Sequence, residues 1–140
     1  MDLIKMDHQK TLKSFGDLMA TTTETPYTRN VTWASTEKDL LVHMQCEEEV
    51  FYPALERIIE DEILVAVEEH NLIRSAADDL DITPTDDNRW LAKLKVIKDN
   101  VERHIEEEEN KILDMANRAF SAEDLEDMAK RFQKAKENMF

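Results

Sequence analysis

One cysteine, one glycine and three prolines are spread over 140 residues, and each scarcity closes off a class of structure. Cys46 has no partner in the chain, so no intrachain disulfide framework exists. A single glycine cannot build a phosphate-cradling loop. So little turn chemistry leaves long helices with few breaks as the expected architecture. Basic residues are short as well: 18 Lys and Arg stand against 32 Asp and Glu, a net charge of −14. Phosphate binding needs a basic patch, so this balance argues against nucleic acid and against an anionic membrane surface as partners. No apolar run approaches the length of a membrane span, and the opening MDLIKMDHQK lacks the apolar centre of a signal peptide. A reducing cytoplasm is the expected location.

Apolar residues still make up 41% of the chain, enough for one core in a single domain over residues 1–140. They recur at helical spacing. The first stripe runs Ile4, His8, Thr11, Leu12, Phe15, Leu18 and Met19. The stretch TTTETPYTRN, 21–30, carries no stripe and reads as a loop. A second helix is expected to start between Thr32 and Thr36, with a capping box at Thr36–Asp39. Its stripe is Trp33, Leu40, His43, Glu47, Phe51, Ala54, Leu55 and Ile58, and Pro53 within it predicts a bend. A third stripe takes Ile63, Ala66, Val67, His70, Ile73, Arg74, Ala77 and Leu80. ITPTDDN ends it, and Asp86 or Asp87 can cap the next helix. The fourth stripe is Trp90, Leu94, Ile97, Val101, His104, Glu108, Ile112 and Met115. A short fifth helix, about 121–138, carries Leu125, Met128, Ala129, Phe132 and Ala135. The pattern predicts an all-α fold: an up-down-up-down four-helix bundle over about residues 1–118, with the fifth helix packed outside it.

All four histidines of the chain, His8, His43, His70 and His104, fall on these stripes, one to a helix. Glu47 and Glu108 fall there too, each four residues after a histidine and so on the same helix face. Either motif alone is weak in so acidic a chain, and a histidine on an apolar face is commonly a hydrogen-bonded core residue. The conjunction is what carries weight. Thirty-five residues separate His8 from His43, and 34 separate His70 from His104. The chain therefore reads as two helical hairpins, each offering two histidines and one glutamate. Carboxylates that face a core must be paired or coordinated. Imidazole and carboxylate together suit iron, manganese or zinc. Six ligands exceed one tetrahedral zinc, and two carboxylates able to bridge suggest two metals roughly 3.5–4 Å apart.

The segments DHQ at 7–9, HMQCEEEVFYPAL at 43–55, EEHNLIR at 68–74 and HIEEEENKIL at 104–113 resemble the hemerythrin-like, or HHE cation-binding, family. The resemblance covers the first four helices. It implies a four-helix bundle around a non-haem diiron centre with an oxo or hydroxo bridge. His8 and His43 would ligate one iron, His70 and His104 the other, and Glu47 and Glu108 would bridge them. Manganese or zinc could substitute. The implied ligand is small: dioxygen, peroxide or nitric oxide, to be sensed, scavenged or carried. An enzyme of this kind would be a peroxide- or oxygen-consuming oxidoreductase. The family's oxygen carriers have a further histidine where Arg74 stands here, and their last motif would place its carboxylate at Glu109. The match with Glu47 and the stripe favours Glu108.

Other readings are set by spacing. Ferritin-like bundles place glutamate three residues before histidine; those places are Leu40, Val67 and Val101. No HExxH zinc-protease motif occurs. Glu48 and Glu49 are expected to face water, Phe51 to wall the site, and Cys46 to be an idle or structural thiol. Tyr27, Tyr52, Trp33 and Trp90 read as packing residues, Tyr52 alone being placed near the site. An iron-sensing module without turnover, or an acidic interaction protein with a vestigial site, are the competing functions. The oligomeric state is left open by the sequence.

Overall fold

Helices account for nearly all of the computed structural model, which describes residues 2–139. There are five: α1 (Asp2–Met19), α2 (residues 26–55), α3 (Glu60–Asp81), α4 (residues 88–119) and α5 (Ala122–Met139). The apolar side chains of α1–α4 separate into two clusters. One holds Ile4, Phe51, Leu55, Ala66 and Ile112; the other holds Phe15, Leu40, Ile73, Leu94 and Val101. Along α1 and α3 the chain passes from the first cluster to the second, and along α2 and α4 it returns. That alternation is the up-down-up-down bundle. The layer between the clusters is where the four histidines fall.

The second helix begins earlier than its stripe suggests. Pro26 stands in its first turn, where a fixed φ and a missing N–H cost nothing. Only 21–25 remain as loop, so the expected loop over 21–30 is half helix. Thr36 is therefore mid-helix and caps nothing; its hydroxyl donates to the Thr32 carbonyl at 2.7 Å. What draws the added turns in is Arg29, buried against the Trp90 ring at 4.7 Å and donating to Thr21 and the Thr85 carbonyl. This arginine ties together the two loops at one end of the bundle. Asp87 caps α4 as expected, accepting from the Arg89 N–H at 2.8 Å.

The two helices that carry Glu47 and Glu108, α2 and α4, change register at the same place. Residues Glu47–Phe51 of α2 and Glu108–Ile112 of α4 form π-helical turns inside otherwise α-helical runs. Pro53 follows the first turn, but Asp114 occupies the matching place after the second. The irregularity is thus a property of the two glutamate positions and not of the proline, as the sequence suggests. Such turns widen the helix and commonly accompany functional sites.

The fifth helix packs outside the four, against α2. Its Met128 and Phe132 are buried, and they explain why Val42 and Cys46, both off the main stripe of α2, are buried too. Ile58, counted on that stripe, lies beyond the helix end and is exposed. No helix among the described residues is long and apolar enough to cross a membrane.

Candidate metal centre

His8, His43, Glu47, His70, His104 and Glu108 meet in the layer between the two apolar clusters. None is more than 5% exposed, and both glutamates and His70 are fully buried. Their ligand atoms form two overlapping groups. His8, His43, Glu47 and Glu108 lie within 4.8 Å of one another; so do Glu47, His70, His104 and Glu108. The two glutamates belong to both groups.

Every histidine is aimed by a carboxylate behind it. Nδ1 of His43 donates to Asp7 at 2.9 Å, of His8 to Glu109 at 2.8 Å, of His70 to Glu48 at 2.8 Å and of His104 to Glu69 at 3.0 Å. Fixing Nδ1 in this way leaves all four Nε2 atoms facing the centre as available donors of a lone pair. The pairs obey a repeat. The acid just before the first histidine of each hairpin holds the second histidine of the same hairpin: Asp7 holds His43, and Glu69 holds His104. The acid just after each shared glutamate crosses to the other hairpin: Glu48 holds His70, and Glu109 holds His8. Glu49 faces water as expected, but Glu48 does not. It is half-buried and clamped by Arg74 at 3.3 and 2.5 Å. Arg74 therefore stays out of the centre and acts on His70 through Glu48. These four acids escape stripe reasoning because they lie beside the stripe. The signal that finds them is the repeated acid–histidine and Glu-Glu pairing in the two halves.

The two groups differ in what satisfies them. In the first, His8 Nε2, His43 Nε2, Glu47 Oε2 and Glu108 Oε1 are buried with no hydrogen-bond partner. His8 Nε2 and Glu108 Oε1 are only 3.1 Å apart, yet the contact lacks hydrogen-bond alignment. Four orphaned donors and acceptors would cost several kcal/mol in a closed protein without a further partner. A cation between them removes that cost. In the second group the Tyr52 hydroxyl fills the gap. It donates to Glu108 Oε2 and lies 3.3 Å from His70 Nε2, 3.4 Å from His104 Nε2 and 3.4 Å from Glu47 Oε1. Tyr52 is thus a central residue and not merely packing. Its ring stacks on His70 at 5.4 Å, while Phe51 turns away into the apolar cluster.

Electrostatics follow from burying this much charge. Desolvation would lower the His43 pKa, but the Glu47 charge and the Asp7 hydrogen bond overcome it and raise it to about 10. His104 rises to about 9 against the same desolvation, through Glu108, Glu47 and Glu69. Burial works against the charge of Glu108, yet contacts with Glu47, His104 and His8 hold its carboxyl well below the usual range. Burial and the two glutamate charges push Tyr52 well above an ordinary phenol. Without a cation the raised values favour protons on His43, His70 and His104, and a cation would displace them. Cys46, by contrast, is buried with its thiol pushed up to about 11 by desolvation first, which leaves it inert as expected.

Comparisons with known proteins bear on the family and the fold. The sequence profile of the hemerythrin HHE cation-binding domain matches residues 1–116. A search of curated proteins finds no match. Among solved structures, the chain superposes on a hemerythrin HHE cation-binding domain-containing protein from Mycobacterium kansasii with a TM-score of 0.83 at 20% identity. The superposition covers 98% of this chain and 86% of the other, and so takes in α5. At that identity the likeness speaks for the fold, and the profile speaks for the family. The chain belongs to the hemerythrin HHE cation-binding domain family.

Proposed function

We propose that this protein is a non-haem diiron protein that binds or reacts with dioxygen, peroxide or nitric oxide inside the bundle. The observation that supports it is the pair of overlapping ligand groups sharing Glu47 and Glu108. One iron belongs with His8 and His43, the other with His70 and His104, and the two glutamates serve both. Tyr52, beside His70 and His104, stands ready as a further oxygen ligand on that side, the side on which Arg74 replaces a family histidine. Manganese or zinc could take the same nitrogen and oxygen ligands. Iron pairs of this kind supply reversible one- and two-electron chemistry toward small oxidants.

The chain's own residues set what can happen there. Asp7, Glu48, Glu69 and Glu109 orient the imidazoles and raise their basicity as ligands. Leu40, Met44, Ile73 and Val101 wall a space of about 10 Å³ beside His8, His43 and Glu47. That is room for about one water-sized group. A buried, uncoupled Cys46 fits the reducing cytoplasm as location, and residues 1–140 act as one domain in this reading. Anaerobic reconstitution with ferrous iron, then metal counting and an absorption spectrum in air, tests the proposal. About two irons per chain and bands of a carboxylate-bridged diferric pair are expected. A chain that holds no iron, or holds it unchanged after His104→Ala, would contradict it.

A further inference from the structure

The two flanks of the centre are closed to different degrees. On the α5 side, Phe132 is fully buried and its ring meets His43 at 5.7 Å. The cavity on that flank, 160 Å³, is lined by Asp7, Lys10, Thr11, Asp39 and Lys136, and by none of the six central residues. Between α3 and α4 a cleft of 320 Å³ opens instead, with His104 and Glu108 among its lining residues. Glu108 is itself fully buried. His104 also lines the 10 Å³ space next to His8 and His43, and so borders both the cleft and the interior. Besides Glu108, four carboxylates line the cleft, Asp61, Glu62, Glu69 and Glu107, against the lone ammonium of Lys111.

We propose that the α3–α4 cleft is the route between solvent and the centre, and that its acidic lining selects by charge, admitting divalent cations and uncharged small molecules and turning anions away. The inference rests on the six central residues holding iron, and it deepens that reading by naming what reaches them. A cleft of one sign with low-dielectric walls focuses its field and raises the local concentration of counter-ions. Glu69 has a double place in this: it lines the cleft and it holds His104 in line. Val65, exposed on the cleft wall, carries no charge and touches no ligand, which makes it the place to obstruct the route.

Ferrous uptake by the metal-free protein, followed anaerobically by stopped flow, reads the route, and final iron content reads the site. D61N/E62Q should take up iron about tenfold more slowly at low salt, with the gap closing near 0.5 M salt as the charges are screened. A D17N/E24Q control changes net charge equally, far from the cleft, and should load at the parental rate. Val65→Trp should slow uptake at every salt concentration. Azide, a small anion, should bind the oxidised protein faster in D61N/E62Q than in the parent. All variants should reach the parental iron content, because no ligand is altered. Parental uptake rates in both Val65→Trp and D61N/E62Q, with normal final content, would overturn the route and leave the site standing. A parental chain that never takes up iron would overturn the site reading, and the route with it.

Discussion

The His8–His43 side and the His70–His104 side are built from one ligand pattern and finished differently. Each has two imidazoles aimed by two carboxylates, and each borrows Glu47 and Glu108. The first is sealed by α5: Phe132 lies on His43, and Lys136 pairs with Asp7, the acid that aims His43. Its ligand atoms have no partner but one another. The second holds the Tyr52 hydroxyl among its ligands and adjoins the acidic cleft. At the place in α4 that matches Tyr52 stands Leu113, which has no hydroxyl to offer the other side. The difference teaches that the repeat sets the same ligand pattern twice, while residues outside the repeat decide which side adjoins the cleft. In the proposed reading the sealed side would hold its cation and the open side would meet the small ligand.

Removing a shared ligand should erase the distinction altogether. Glu108→Ala should lower iron content from about two per chain to below one, whereas His8→Ala should leave about one, on the open side. Metal analysis after reconstitution separates the two. Raising the pH of the metal-free protein should come next in size. His43 and His104 titrate higher in the fold, about 10 and about 9, than an ordinary imidazole near 6.5. Their contribution to stability is complete below about 6.5 and is lost as pH rises through about 9 and then about 10. Thermal melts should therefore drop across that window in the metal-free protein and much less once the imidazoles are coordinated.

Tyr52→Phe removes a hydroxyl that sits on the open side. It should keep the iron content, change the visible absorption, and destabilise the metal-free protein by about 1–2 kcal/mol through the hydrogen bonds it removes. An unchanged spectrum would remove Tyr52 from the ligand set. The smallest effect belongs to Lys136→Met, which frees Asp7 on the sealed side. Hydrogen bonds from His43 and Lys136 hold the Asp7 carboxyl low against burial. A loss of about 1 kcal/mol or less in a denaturant titration is expected, with no change in visible absorption.

Most of the bundle and all six central residues are legible in the sequence, because burial forces a 3.6-residue period and an ionisable residue on that period is conspicuous. Glu108 over Glu109 follows from the same rule. What escapes does so for physical reasons. The start of α2 at Pro26 depends on Arg29 reaching Thr85, a contact 56 residues away that no local pattern contains. The π-helical turns begin at Glu47 and Glu108, both fully buried, and no periodic pattern in the sequence marks them. Glu48, Glu69, Asp7 and Glu109 lie off the stripes and look like solvated faces until the partner helices are placed. Tyr52 falls between the stripe and the surface of α2, where the π-helical turn brings it round to the centre.

The central claim is that two cations share Glu47 and Glu108, one on each side of the layer. Anomalous diffraction at the iron edge from reconstituted crystals addresses it directly. Two peaks roughly 3.5–4 Å apart are expected, one next to His8 and His43, the other next to His70, His104 and Tyr52. A single peak, or iron bound anywhere outside the layer between the two apolar clusters, would contradict the account.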